Sequence, residues 1–270
     1  IIQSGNDATV ALAEYVGGTE DGFVDLMNSY AASMGLSNTL FQNSTGLPDG
    51  NHFSSAKDLA TMTSLLIDNF PETYSLYKEK YFTFNNIRQP NRNRLLWKDN
   101  SSDGVKTGHT ESAGYCLISS AKRNDMRLIA VVAGAKSDKE RFNDTQRLLE
   151  YGFRFYSTQE VIKKDNALKD VDVWGGKKNL VSLGSENNIK LTLPRTTFKN
   201  ITISYDFQNN LRAPIKEGQT LGTLVIKDGE KTLHTENLVA LNDAEAKGFF
   251  GRVWASLVLW FRGLFGLGDA

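Results

Sequence analysis

At 270 residues the chain is long enough for one large domain or two modest ones, and a composition 40% hydrophobic and 23% charged is that of a folded protein with a real core. Lysine plus arginine equals aspartate plus glutamate at 31 each, so no overall field favours nucleic acid and any charge-driven contact must be local. The single cysteine, Cys116, excludes an internal disulfide; in the apolar run Tyr115-Cys116-Leu117-Ile118 it reads as a buried small residue.

The opening Ile1-Ile2-Gln3-Ser4-Gly5-Asn6 shows no initiating methionine, basic stretch or signal-like apolar run, and reads as starting inside a domain. Helical spacing of Ala8, Ala11, Leu12 and Tyr15 predicts a helix over 7–16, and a second follows over 21–34. Ser55 with Asp58 three residues on is a capping pattern for a helix running towards Asn69, with Pro71 just beyond its end. Tyr81-Phe82-Thr83-Phe84-Asn85 alternates aromatic and polar residues before Asn-rich turn chemistry, which predicts a short strand or hairpin. Strands are expected over 105–110, 114–120 and 126–133, with Arg123-Asn124-Asp125 as the turn into the third, making an antiparallel meander. A helix over 138–156 follows, with Phe142, Leu148, Leu149 and Phe153 near one stripe. Helices around an antiparallel sheet make an α+β domain, here 1–156. Short runs at 189–193, 201–205, 221–226 and 238–241, separated by turn residues, predict a small all-β domain over 157–243.

Two short motifs carry the chemistry: Ser4-Gly5-Asn6 at a helix entry and Lys106-Thr107-Gly108 on a strand. The first by itself is also an ordinary helix cap, and the second is common wherever a strand ends in a turn. Read with their flanks, Ser4-Gly5-Asn6-Asp7-Ala8 and Asp103-Gly104-Val105-Lys106-Thr107-Gly108-His109-Thr110 resemble the serine D,D-peptidases. The likeness is to the low-molecular-mass penicillin-binding proteins with D-alanyl-D-alanine carboxypeptidase activity (serine-type, S11-like). It extends through 41–55, 74–97, the meander and Gly152-Phe153-Arg154-Phe155-Tyr156, and so covers nearly the whole chain.

The resemblance implies acyl transfer on peptidoglycan pentapeptide stems, inhibited by β-lactam antibiotics, with no cofactor. It implies Ser4 as a proton relay, Asn6 as a donor to the substrate amide, and Lys106 and Thr107 as ligands of the terminal carboxylate. Gly108 would leave room for the substrate to pair along the strand, and the His109 backbone N–H would complete an oxyanion hole. Arg92 and Arg141 match carboxylate-side arginines of the family, although each also reads as a solvated surface arginine. A β-lactamase would share the motifs without the β-domain, and a noncatalytic, membrane-attached wall-binding module is the alternative from another class.

The family's nucleophile motif, S-x-x-K, needs serine and lysine one helical turn apart on one face. Three such strings occur, Ser54–Lys57, Ser75–Lys78 and Ser119–Lys122. The first looks like a cap, the second falls in a tyrosine-rich stretch, and the third lies at a strand end. The expectation is that the nucleophile segment lies upstream of Ile1 and that this chain alone forms no acyl-enzyme. His52, His109 and His234 show no metal-ligand spacing. From 244 to 270, Phe249, Phe250, Trp254, Trp260, Phe261 and Phe265 with Arg252 and Arg262 suggest an amphipathic helix lying in a membrane interface, since the uncharged stretch between the arginines is too short to span. A helix docked on the β-domain is the alternative. The anchored protein is expected on the periplasmic face of a bacterial inner membrane.

Overall fold

The computed structural model describes residues 1–208, 210–248 and 258. The chain divides into two compact units, one over Ile1–Phe155 and a second from Tyr156.

The first unit begins with α1 (Asn6–Gly17) and α2 (Glu20–Ser33). Thr19 caps α2 by accepting from the Gly22 N–H, and Glu20 and Asp21 place negative charge in its first turn, where the helix dipole favours it. Next comes α3 (Ala56–Asn69), whose cap is Ser55, accepting from the Asp58 N–H at 3.1 Å as its spacing predicts. Pro71 does more than follow that helix: with its φ already helical and no N–H to lose, it opens the short α4 (Pro71–Tyr74).

Strands β1 (Tyr81–Phe84) and β2 (Ile87–Pro90) form a hairpin. Its two-residue turn is Asn85-Asn86, both at positive φ, which matches the right-handed twist of the strands. After α5 (Leu95–Lys98) comes the meander β3 (Ser102–Thr110), β4 (Gly114–Arg123) and β5 (Met126–Ala135), in the order β3-β4-β5. Asn124 at positive φ makes the tight turn between β4 and β5.

Helix α6 (Asp138–Phe155) packs on this sheet. Phe142, Leu149 and Phe153 are buried as the periodicity predicts, but Leu148 is half exposed. It sits about 100° round the helix from Leu149 and so falls off a stripe completed by Thr145. Cys116 is only half-buried; the residue opposite it on β3 is Gly108, which has no side chain to cover it.

The second unit is all-β. Strands β6 (Tyr156–Ile162) and β9 (Ile189–Pro194) pair with each other. The remaining strands, β7 (Lys169–Trp174), β8 (Leu180–Ser185), β10 (Ile201–Phe207), β11 (Leu211–Arg212), β12 (Thr220–Asp228) and β13 (Lys231–Ala240), form a sheet in the order β10-β12-β13-β8-β7-β11. Both sheets feed one core in which Val181, Leu183, Leu224, Ile226 and Leu238 are fully buried and Ile162 and Ile189 nearly so. Each such side chain contributes roughly 1.5–3 kcal/mol of burial.

Ala244 is fully buried and pairs with Ile215, and Ala246 pairs with Gly176, so the β-unit reaches past the expected boundary at residue 243. Most of the expected interfacial helix over 244–270 lies outside the described residues. Among the described residues no helix is long and apolar enough to cross a membrane.

Candidate active site

Ser4 occupies the left-handed region at φ 57°, which a serine adopts only when its surroundings enforce it. It is not the cap of α1. Gly5 holds that position, with no side-chain hydrogen bond, and Ser4 Oγ instead accepts from Lys106 Nζ at 2.8 Å, across 102 positions of sequence. The ordinary-cap reading of Ser4-Gly5-Asn6 therefore fails. The strained turn points the hydroxyl towards the strand that carries the second motif.

Strand β3 is the edge of its sheet. One side of its backbone ladder is taken by β4, in the register Lys106↔Ile118, Thr107↔Leu117 and Gly108↔Cys116. The other side faces a cavity of about 890 Å³ lined by Ser4, Asn6, Arg92 and the run Lys106 to His109, with Arg141 at its wall. All eight residues singled out from the sequence meet in this one space. An edge strand beside a cavity offers unpaired backbone groups to an extended ligand. At Gly108 an added Cβ would meet only the Cys116 Cβ, at 3.8 Å, so packing does not demand glycine there. What glycine provides is an unobstructed approach from the cavity side. The His109 ring is stacked on Tyr115 at 3.8 Å with Nδ1 beside the Gly114 carbonyl, which leaves its main chain as the part free to act in the cavity.

Lys106 sits among charges of its own sign. Burial first, then the Arg92 and Arg141 guanidinium groups, push its pKa down from 10.5 to about 8. Its ammonium donates to Ser4 Oγ and to the Thr107 carbonyl, at 2.8 and 2.7 Å, and no carboxylate pairs with it among the described residues. An anion entering such a site would relieve the cation crowding.

The two titration consequences have opposite signs. In the empty protein, an unfolded lysine holds its proton up to about 10.5, so this group's contribution to stability rises with pH between about 8 and 10.5. A bound carboxylate prefers the ammonium, so affinity for a carboxylate-ended ligand is expected to fall as pH rises through about 8, by up to tenfold per unit. Calorimetric titrations from pH 6.5 to 9.5 measure this, and a flat profile would remove Lys106 from the anion site.

Arg141 differs from its sequence reading. It is 6% exposed, not a solvated surface arginine, and it is not a freely presented charge. Its guanidinium donates to the Gly108 and Cys116 carbonyls at 2.9 and 3.3 Å and pairs with Asp138, which clamps β3 to β4; only Nε is left without a partner. Arg92 is exposed at the cavity and holds no ion pair among the described residues.

Several supporting residues carried no signal in the sequence. The Gly104 carbonyl, two residues before Lys106, accepts from Asn93 Nδ2 at 2.9 Å and Ser119 Oγ at 3.0 Å, both fully buried side chains. Behind Gly104 stands Tyr74, whose hydroxyl burial keeps protonated and which donates to Asp103 at 2.7 Å; Arg127 holds the same carboxylate. An added Cβ at Gly104 would come within 2.8 Å of the Tyr74 oxygen. These groups fix the strand from behind, so Lys106 can be placed without a carboxylate to neutralise it.

Neither the serine nor the lysine of any of the three S-x-x-K strings lines the cavity, although Tyr77 of the second string does. Ser55, not Ser54, caps α3, and Ser54 Oγ is hydrogen-bonded to Thr39. Ser75 Oγ donates to the Glu72 carbonyl, and Ser119 is fully buried behind β3.

The family model described as D-alanyl-D-alanine carboxypeptidase matches residues 1–137, and the model described as penicillin-binding protein 5, C-terminal domain, matches residues 156–246. The D-alanyl-D-alanine carboxypeptidase DacC of Escherichia coli is 48% identical over 98% of this chain and 67% of its own length. DacA of the same organism is 43% identical over 98% of this chain and 66% of its own length, so the chain spans about two thirds of these relatives. Among solved structures, penicillin-binding protein 5 from Haemophilus influenzae superimposes with a TM-score of 0.76 at 41% identity, covering 90% of this chain and 71% of that one. Penicillin-binding protein D2 from Listeria monocytogenes, in its cefotaxime-bound form, gives 0.53 at 34% identity, covering 57% of this chain and 63% of that one.

Proposed function

Because the chain belongs to the D-alanyl-D-alanine carboxypeptidase family, we propose that its cavity receives the D-Ala-D-Ala end of a peptidoglycan pentapeptide and that the terminal D-alanine leaves through an acyl-enzyme. The observation that carries this reading is the Lys106–Ser4 hydrogen bond at the mouth of an edge strand, with no neutralising carboxylate among the described residues. A free C-terminal carboxylate is the anion that such a cation cluster selects, with the Thr107 hydroxyl beside it and Arg92 adding field.

A serine oxygen attacks the carbonyl carbon between the two D-alanines while its proton passes to the lysine of its S-x-x-K motif, and the oxyanion is held by the His109 N–H and the N–H of the attacking serine. Ser4 passes a proton to the leaving amine and regains one from the Lys106 ammonium, and the hydrogen bond that its oxygen already accepts from Lys106 supports this relay. Asn6 donates to the substrate amide while the stem pairs along β3, and water then hydrolyses the ester. The attacking serine is not one of the three S-x-x-K serines, none of which reaches the cavity.

In this reading residues 1–156 form the catalytic unit, and 157–243 with the short extension through Ala246 form the β-unit. The segment beyond holds the protein on the periplasmic face of the inner membrane. β-Lactams, which carry a carboxylate beside a reactive carbonyl, occupy the same cavity; the Listeria relative has been solved with cefotaxime bound.

A direct test is equilibrium binding of two peptides, one ending in free D-Ala-D-Ala and one with its C-terminus amidated. The free peptide should bind roughly tenfold to a hundredfold more tightly, the size of one charge-assisted contact. Equal affinities would remove the carboxylate site.

A further inference from the structure

The hairpin β1–β2 leaves large apolar side chains in solvent. Phe82, Phe84 and Ile87 are 48%, 61% and 62% exposed, and the Phe82 and Phe84 ring planes lie within 8° of each other with centroids 6.3 Å apart. With Phe84↔Ile87 and Phe82↔Gln89 as partners, these side chains share one face of the ribbon. On the opposite face, the Arg88 guanidinium lies 3.6 Å from the Tyr81 ring centroid, Tyr81 meets Trp97 edge-on, and Lys80 lies 6.0 Å from the Trp97 ring.

Charge is as uneven as polarity. In a chain of zero net charge, the stretch 78–98 holds Lys78, Lys80, Arg88, Arg92, Arg94 and Lys98 against the single carboxylate Glu79. Arg94 pairs with Asp138, and the other five cations form no ion pair among the described residues. Exposed rings amid unpaired cations mark a surface for a partner that is anionic and has apolar faces.

The hairpin is also fastened to the cavity. Gln3, next to Ser4, donates to the Pro90 carbonyl at 3.0 Å. Asn91 bonds the Lys80 and Glu79 carbonyls, and its neighbours Tyr77 and Arg92 line the cavity. A ligand whose terminal residues fill the cavity has the rest of its length at the rim where this hairpin stands.

We infer that the hairpin is a docking platform for the wall polymer itself: sugar rings of a glycan strand lie against Phe82, Phe84 and Ile87 on one face, and carboxylates of its attached peptides reach round the two-stranded ribbon to Arg88 and Lys80 on the other. The inference rests on the carboxypeptidase reading of the cavity, and it extends that reading from the peptide end to the polymer. The apolar C–H faces of sugars suit the electron-rich faces of aromatic rings. The tie to the cavity favours this partner over a lipid surface.

The test is an NMR titration of the ¹⁵N-labelled 270-residue chain with three probes: a disaccharide–pentapeptide wall fragment, the free pentapeptide, and phosphatidylglycerol vesicles. The double variant Phe82→Ser/Phe84→Ser should weaken binding of the disaccharide–pentapeptide by roughly tenfold, the size of one or two ring contacts, and leave the free pentapeptide within about twofold. Arg88→Glu should weaken both soluble probes and flatten their salt dependence. Lys106→Ala should weaken both as well. If the hairpin variants bind the disaccharide–pentapeptide as the unaltered chain does while Lys106→Ala does not, the platform is refuted and the cavity reading stands. If Lys106→Ala changes neither, the cavity reading itself fails. Loss of vesicle binding alone in the hairpin variants would assign the surface to lipid and overturn the inference. Unchanged amide shifts for Leu224 and Leu149 confirm folding, and Phe84→Gln alone serves if the double variant loses them.

Discussion

Incubated with a labelled penicillin and separated on a denaturing gel, the 270-residue chain is expected to remain unlabelled. Covalent capture needs a serine oxygen in the cavity with a base one helical turn away. Ser54, Ser75 and Ser119 each spend their hydroxyl elsewhere, and Ser44, which does line the cavity, donates to Glu20 at 2.7 Å and has no lysine partner. Ser4 is the remaining candidate, but its neighbour Lys106 donates to it as an ammonium and to the Thr107 carbonyl besides, which is the arrangement of a proton source rather than a base. Reversible binding of the same penicillin should persist, because Lys106, Thr107 and Arg92 are in place. A stoichiometric covalent band would overturn the assignment, and if peptide mapping located it on Ser4, the Ser4–Lys106 pair would have to be read as nucleophile and base.

In any form of the protein that cleaves a D-Ala-D-Ala peptide, Lys106→Ala should lower kcat/KM by about a thousandfold, or ~4 kcal/mol of transition-state stabilisation. On the proposed mechanism two functions vanish together: the ammonium that draws the carboxylate, and the donor that reprimes Ser4 after it protonates the leaving amine. The first raises KM and the second lowers kcat, so both parameters should move. Instability would not explain the loss. The depressed pKa of Lys106 means that the fold disfavours its charge, so removing the ammonium should leave the melting temperature unchanged or raise it slightly at pH 7. Lys106→Arg should not restore activity, because a planar fork cannot replace a compact ammonium that bonds Ser4 Oγ and its own strand at once. Retention of near-normal kcat/KM in Lys106→Ala would remove the role.

Much of the architecture could be read from local pattern. Helices α1, α2, α3 and α6, the β1–β2 hairpin and the β3-β4-β5 meander all follow from spacing, caps and turn residues, because the signals that start, stop or turn each element lie within a few positions in the chain. The β-unit was less legible. Strands β7 and β8 were missed although Asp170-Val171-Asp172-Val173 alternates with both valines buried, since a strand of six residues among charged neighbours barely exceeds the background of polar loops. Leu148 shows the limit of periodicity: one step of 100° separates a buried leucine from an exposed one, and only packing decides which side faces the sheet.

The types of residue proposed to do the chemistry, a turn serine and asparagine and a strand lysine, threonine and glycine, were written in the sequence and recognisable there, because motif geometry is local. Their meeting was not. The hydrogen bond between Ser4 and Lys106 closes a separation of 102 positions, and it exists because the sheet leaves β3 at its edge. The same packing turned Arg141 from a surface charge into a clamp and set Asn93, Ser119 and Tyr74 behind Gly104. Burial and long-range hydrogen bonding depend on which surfaces come together, and no spacing along a chain encodes that directly.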